Sequence, residues 1–154
     1  MAESFDGMLP LIQELTRTLA ELTEVQKNVV AAVRSDDLAA LGECMKKENV
    51  LSLALRNQDR KRVALQQALG IEQIKLSQLP GYAPDEKTQQ AVRQAAEQLT
   101  AQYQMMQAAA EVARSALECG LHEVEGMMTR MGLDPKQTEI HSASTSGAHT
   151  DFHA

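Results

Sequence analysis

Apolar residues along this chain form three ladders with helical spacing. The first climbs through Met8, Ile12, Leu15, Leu19, Leu22, Val29 and Val33 in steps of four and three, with Gln26 on the rung between Leu22 and Val29. That alternation keeps one face of an α-helix apolar, and it predicts a helix from about Phe5 to Val33 that buries one seam. Pro10 suits the first turn, where a missing N–H breaks no helical hydrogen bond, so regular helix is expected from near Leu9. Gln26 reads as a polar register-setter or a residue at the edge of the bundle. The second ladder holds Leu38, Leu41, Met45, Leu51, Leu55, Leu65 and Leu69 and predicts a helix from about Asp37 to Leu69. Between the two, Ser35-Asp36-Asp37 is a turn in which Ser35 or Asp36 supplies the N-cap side chain. So short a connection makes the two helices antiparallel neighbours. Gly70 then ends the second helix, because glycine accepts the left-handed backbone of a C-terminal cap.

The third ladder is the longest. It runs through Val92, Ala96, Leu99, Tyr103, Met106, Ala110, Ala113 and Leu117, then Leu121, Val124, Met128 and Met131. Ala113–Leu117–Leu121 takes two successive steps of four, a stutter that locally unwinds a supercoil. With Asp85 as its cap, the helix is expected from about Glu86 to Met131. At 1.5 Å per residue it reaches about 65–70 Å, some 20 Å longer than either arm of the hairpin. Gly120 and Gly126 are places where it can bend or fray. Between the second and third helices, Ile71–Asp85 loses its periodicity. A helical turn fits Glu72–Leu76, whereas Leu79-Pro80-Gly81-Tyr82-Ala83-Pro84 should not stay helical. The expectation is an all-α fold: an antiparallel hairpin packed on the N-terminal half of a longer third helix, spanning residues 1–133. Residues 134–154, rich in Ser, Thr, Gly, Ala and His, lack the apolar periodicity that orders a segment and read as a flexible tail.

Composition narrows the chemistry. The chain has 154 residues, two Phe, two Tyr and no Trp, so a core of aliphatics and Met is expected. A net charge of −6 argues against a nucleic-acid binder, which needs a basic face. The densest basic run, Arg56-Asn57-Gln58-Asp59-Arg60-Lys61-Arg62, reads as a solvated face whose charges pair with glutamates of a neighbouring helix. Cys44 and Cys119 read as two reduced, buried thiols, and their spacing suggests neither disulfide nor metal site. Asp6, Glu14 and Glu21 interrupt any secretory apolar region, and no apolar run approaches the ~18 residues of a spanning helix. The expectation is a soluble cytoplasmic protein without direct membrane insertion.

No catalytic constellation, phosphate loop or cofactor motif is present in the sequence. His122 is set among Glu118, Glu123 and Glu125. Negative charge beside a phosphohistidine is electrostatically unfavourable, which disfavours a phosphotransfer bundle. His141, His149 and His153 with Asp151 form no dedicated metal site. Five of the eight methionines lie in the third helix. Met106 reads as core, but Met127, Met128 and Met131 sit at the helix end, where flexible thioether side chains suit a surface that accepts partner helices. The expected partner-binding residues are therefore Leu117, Leu121, Val124, Met127, Met128 and Met131. A coiled-coil adaptor that homo-oligomerises through the same heptads, for example as a homodimer, is the alternative.

The chain resembles the FlgN family of flagellar type III export chaperones. The resemblance rests on Leu41, Lys47, Leu51 and Leu55 leading to Arg62-Val63-Ala64-Leu65-Gln66-Gln67-Ala68-Leu69-Gly70. It rests too on the order of hairpin, irregular linker and long third helix, and on the segment Gly132-Leu133-Asp134-Pro135-Lys136-Gln137-Thr138 after it. Gln104 and Gln107 stand where family members often carry paired Asn, and Leu133 stands where many carry an aromatic. The resemblance implies a cytoplasmic chaperone for hook-associated proteins, the hook–filament junction subunits. Such a chaperone covers their C-terminal amphipathic helices, prevents premature assembly and delivers them to the export apparatus. The lack of a catalytic constellation in the sequence separately reads as a binder, with no cofactor and no enzymatic activity expected.

Overall fold

The computed structural model describes residues 5–133; the expected tail, 134–154, lies outside them. Three helices dominate: α1 (Met8–Arg34), α2 (Leu38–Ala68) and α3 (Glu86–Arg130). A 3-10 turn, Phe5–Gly7, leads into α1, and a 3-10 helix, Leu76–Tyr82, lies between α2 and α3. No strand occurs among the described residues. The fold is all-α, with helix bounds within a few residues of those the ladders predict.

The first ladder becomes the buried seam of α1. Met8, Ile12, Leu15 and Leu19 have no exposed surface, and Leu22, Gln26 and Val29 are buried beyond them. At the turn, Asp37 rather than Ser35 or Asp36 caps α2: its Oδ1 accepts from the backbone N–H of Ala40 at 3.0 Å. Asp36 instead takes the left-handed backbone conformation, φ 53°, that reverses the chain. Ser35 Oγ turns back to donate to the Ala31 carbonyl at 2.8 Å, which removes it as a cap for α2. The α1–α2 interface is tied by Gln58, whose Nε2 donates to Glu14 Oε1 at 3.3 Å and whose Oε1 accepts from Thr18 Oγ1 at 2.8 Å.

Gly70, at φ +72°, closes α2 as expected. The buried side chain of Gln66 then organises the linker. Its Nε2 donates to the carbonyls of Ile71 and Ile74, both at 3.2 Å, while its Oε1 accepts from Arg62. Arg62 also pairs with Asp59 of its own helix at 2.9 Å. Arg62 thus serves its own helix and, through Gln66, the linker, and no ion pair joins the basic run to a glutamate of another helix among the described residues. The helical turn expected at Glu72–Leu76 forms instead at Leu76–Tyr82, and it includes Pro80. A 3-10 helix tolerates proline there because burying Leu76, Leu79 and Pro80 offsets the missing donor.

α3 returns parallel to α1. Val92 and Leu99 share a core with Met8, Ile12 and Leu19; Gln102 Nε2 donates to Thr23 Oγ1 at 3.1 Å. Higher up, Ala113 packs with Val25, Val29 and Cys44, and a Cβ built on Gly120 would meet Val33 Cγ1 at 3.4 Å. The contact therefore extends well past the N-terminal half of α3, the extent the ladders predicted. α1 carries most of it, since it packs along both neighbours while the backbones of α2 and α3 scarcely approach each other. α3 stays helical through Gly120 and Gly126 to Arg130. Beyond Gly120 it projects about 15 Å past the hairpin tip.

Candidate helix-binding surface

The apolar ladder of α3 and its buried face part company at Ala113. Below that point they run together: Val92, Ala96 and Leu99 are buried ladder residues, and Tyr103 and Met106 pack half-buried against the same core. Above it, the face toward α1 continues through Ala113 and Gly120, whose small size lets the backbones approach. In an α-helix, Leu117 and Leu121 are rotated from Ala113 by roughly 40° and 80°. They turn off the α1 contact and stand 37% and 59% exposed. Val124, Met127 and Met131 are also exposed, and Met128 is half-buried. All six residues expected from the sequence thus lie along one end of one helix. Leu117 is a refinement of that expectation: the hairpin still runs beside it, but on a different face.

α2 supplies a second wall that its ladder did not reveal. Cys44 and Leu55 face the core, while Leu38 and Met45 belong to the same ladder yet remain exposed, Leu38 at 81%. Following the right-handed sense of each helix away from its α1 contact, the flank of α2 with Leu38 and Met45 turns toward the opening between α2 and α3. The flank of α3 with Leu117 and Leu121 turns toward the same opening. Lower in the bundle the 3-10 helix closes that side with Leu76 and Leu79. Higher up nothing among the described residues fills its place. Exposed apolar side chains, Leu38 and Met45 on α2 and Leu117 and Leu121 on α3, thus lead to the stripe along the projecting end of α3.

The other candidate chemistries do not assemble. His122 is 83% exposed at its side chain, and its Nδ1 faces Glu125 Oε2 at 3.8 Å. No group of His, Cys, Asp and Glu among the described residues can hold a metal ion. Cys44 is buried as expected, but Cys119 is exposed, because the α3 face that carries it lies away from α1. No helix among the described residues is long and apolar enough to cross a membrane. A cleft of about 540 Å³ between α1 and α2, lined by Glu21, Glu24, Lys46, Lys47 and Val50, is open and mixed in charge. Its openness to solvent sets it apart from the enclosed concave pocket that buries most of a small molecule. Comparison with protein-family models, with curated proteins and with solved structures finds no match.

Proposed function

We propose that this chain is a helix-binding export chaperone of the flagellar type III system. It captures the C-terminal amphipathic helices of hook-associated proteins in the cytoplasm, prevents their premature assembly and presents them to the export apparatus. The observation that carries the reading is the uncovered apolar stripe. A bundle that packs its 3-10 helix beside the lower part of α3, and leaves the apolar residues of the upper part exposed, accepts a further helix there on that stripe. The sequence resemblance supplies the identity of the client. The fold supports the physical part: a junction subunit's terminal helix needs its apolar stripe covered until export.

The magnitudes are adequate. Covering a large apolar side chain contributes roughly 1.5–3 kcal/mol relative to exposure. Five such side chains on α3 therefore exceed an association cost of several kcal/mol by enough for micromolar or tighter binding. The test is the double substitution Leu121→Asp with Val124→Asp, scored by co-purification with hook-associated proteins. Both side chains project from exposed helix, so helicity and melting temperature should hold while capture is lost. Undiminished capture would place the client elsewhere. Collapse of the fold would make these two residues ordinary core.

A further inference from the structure

The apolar stripe on the projecting end of α3 is bordered by acid on both sides. Val124 marks its centre, and Glu123 and Glu125 stand about 100° to either side of it. Glu118 adds a third carboxylate on the Glu125 side, about two turns earlier, and the hairpin tip carries Asp36 and Asp37 beside Arg34. Arg130 is the only Lys or Arg from Leu117 to Met131. His122 lies close to Glu125 but is largely solvated.

This arrangement selects among occupants. A second copy of the chain, stacked stripe to stripe and centred on Val124, meets the same residues in either direction. Antiparallel pairing sets Glu123 near Glu123 and Glu125 near Glu125; parallel pairing sets Glu123 near Glu125. In both, carboxylate faces carboxylate across the flanks of an apolar seam, where like charges are destabilising. An amphipathic helix whose own stripe is flanked by Lys or Arg converts each repulsion into attraction. We infer that the projecting end of α3 is a docking surface for an amphipathic helix with basic flanks, and that its glutamates select against self-pairing. This rests on the helix-binding reading above and specifies the chemistry of the partner.

The experiment uses the full chain and two synthetic peptides with one shared Leu/Ile stripe, flanked by Lys in one and by Glu in the other. Fluorescence anisotropy should give at least about tenfold tighter binding for the Lys peptide at low salt, since each exposed charge pair contributes a few-fold. The preference should shrink toward parity at roughly 0.5 M salt, where the screening length is only a few ångströms. A variant carrying Glu123→Lys and Glu125→Lys should reverse it, and Leu121→Asp should weaken both peptides. Equal, salt-independent affinities that Leu121→Asp still abolishes overturn the charge selection and leave helix binding standing. Failure of both peptides, with self-association of the chain that Leu121→Asp removes, overturns both and makes a second copy the occupant.

Discussion

Asp37 and Asp85 show how much local structure one side chain decides. Each accepts a backbone N–H three residues on, at 3.0 Å from Ala40 and 2.7 Å from Thr88. Asp37→Ala should cost about 1 kcal/mol, typical of a lost N-cap, as read by urea denaturation. At Asp85 the Thr88 backbone N–H, aided by its hydroxyl and by the Lys87 charge, holds the carboxyl below its ordinary 3.8. Because the folded state favours the ionised form, this contribution is present above pH 3.8 and fades as the pH falls through that value toward the folded one. The Thr88 amide shift should therefore titrate with a midpoint below 3.8, and Asp85→Asn should remove the transition while keeping a cap. In the core the magnitudes are larger. Leu19→Ala, at a position with no exposed surface, should cost about 2–5 kcal/mol, whereas Leu53→Ala on the outer face of α2 should stay within about 0.5 kcal/mol.

The three helices differ in how openly their sequences declare them. α1 was legible in extent and in its central seam, because every rung from Met8 to Val29 is buried, but its two neighbours widen the buried face to Thr18, Thr23, Val25 and Ala32, which the ladder does not include. Its neighbour α2 was legible in extent but not in orientation. Leu38 and Met45 keep the heptad spacing, yet the helix touches the rest of the molecule mainly through α1, so its outer rungs find no cover. The linker was misplaced because Pro80 and Gly81 are strong breakers of α-helix, and spacing alone cannot show that burial of Leu76 and Leu79 sustains a 3-10 helix. In α3 the stutter at Leu117 falls where the ladder turns off the α1 contact, although the hairpin itself runs on beside the helix to Gly120. It did not show that Ala113 and Gly120 hold the α1 contact, since small residues carry no signal in an apolar pattern. Gly42 offers a clean test at this scale: it lies inside α2 with nothing within 4 Å of a Cβ. Gly42→Ala should therefore stabilise the chain by about 0.5–1 kcal/mol, measured by thermal or urea unfolding, through the smaller entropy lost on folding.

At the scale of the molecule, a supported bundle grades into an unsupported helical end. Amides of α1 should exchange with solvent only on global unfolding, while those from Leu121 to Arg130 should exchange through local fraying, and a bound client should slow the second group. The parallel pairing of α1 with α3 bears on a different question, the order of assembly. Thr23 and Gln102 are 79 residues apart in sequence, while α2 meets α1 across a turn of a few residues. Loop closure favours the near pairing first. Substitutions at the α1–α2 contact, such as Thr18 or Leu55, should therefore slow folding, whereas those at Val92 or Ala113 should mainly speed unfolding. On the ribosome the hairpin is complete before the third helix has been made. Until α3 arrives, Ile12 and Leu19 stand open on the hairpin, an apolar face that α3 covers in the finished chain.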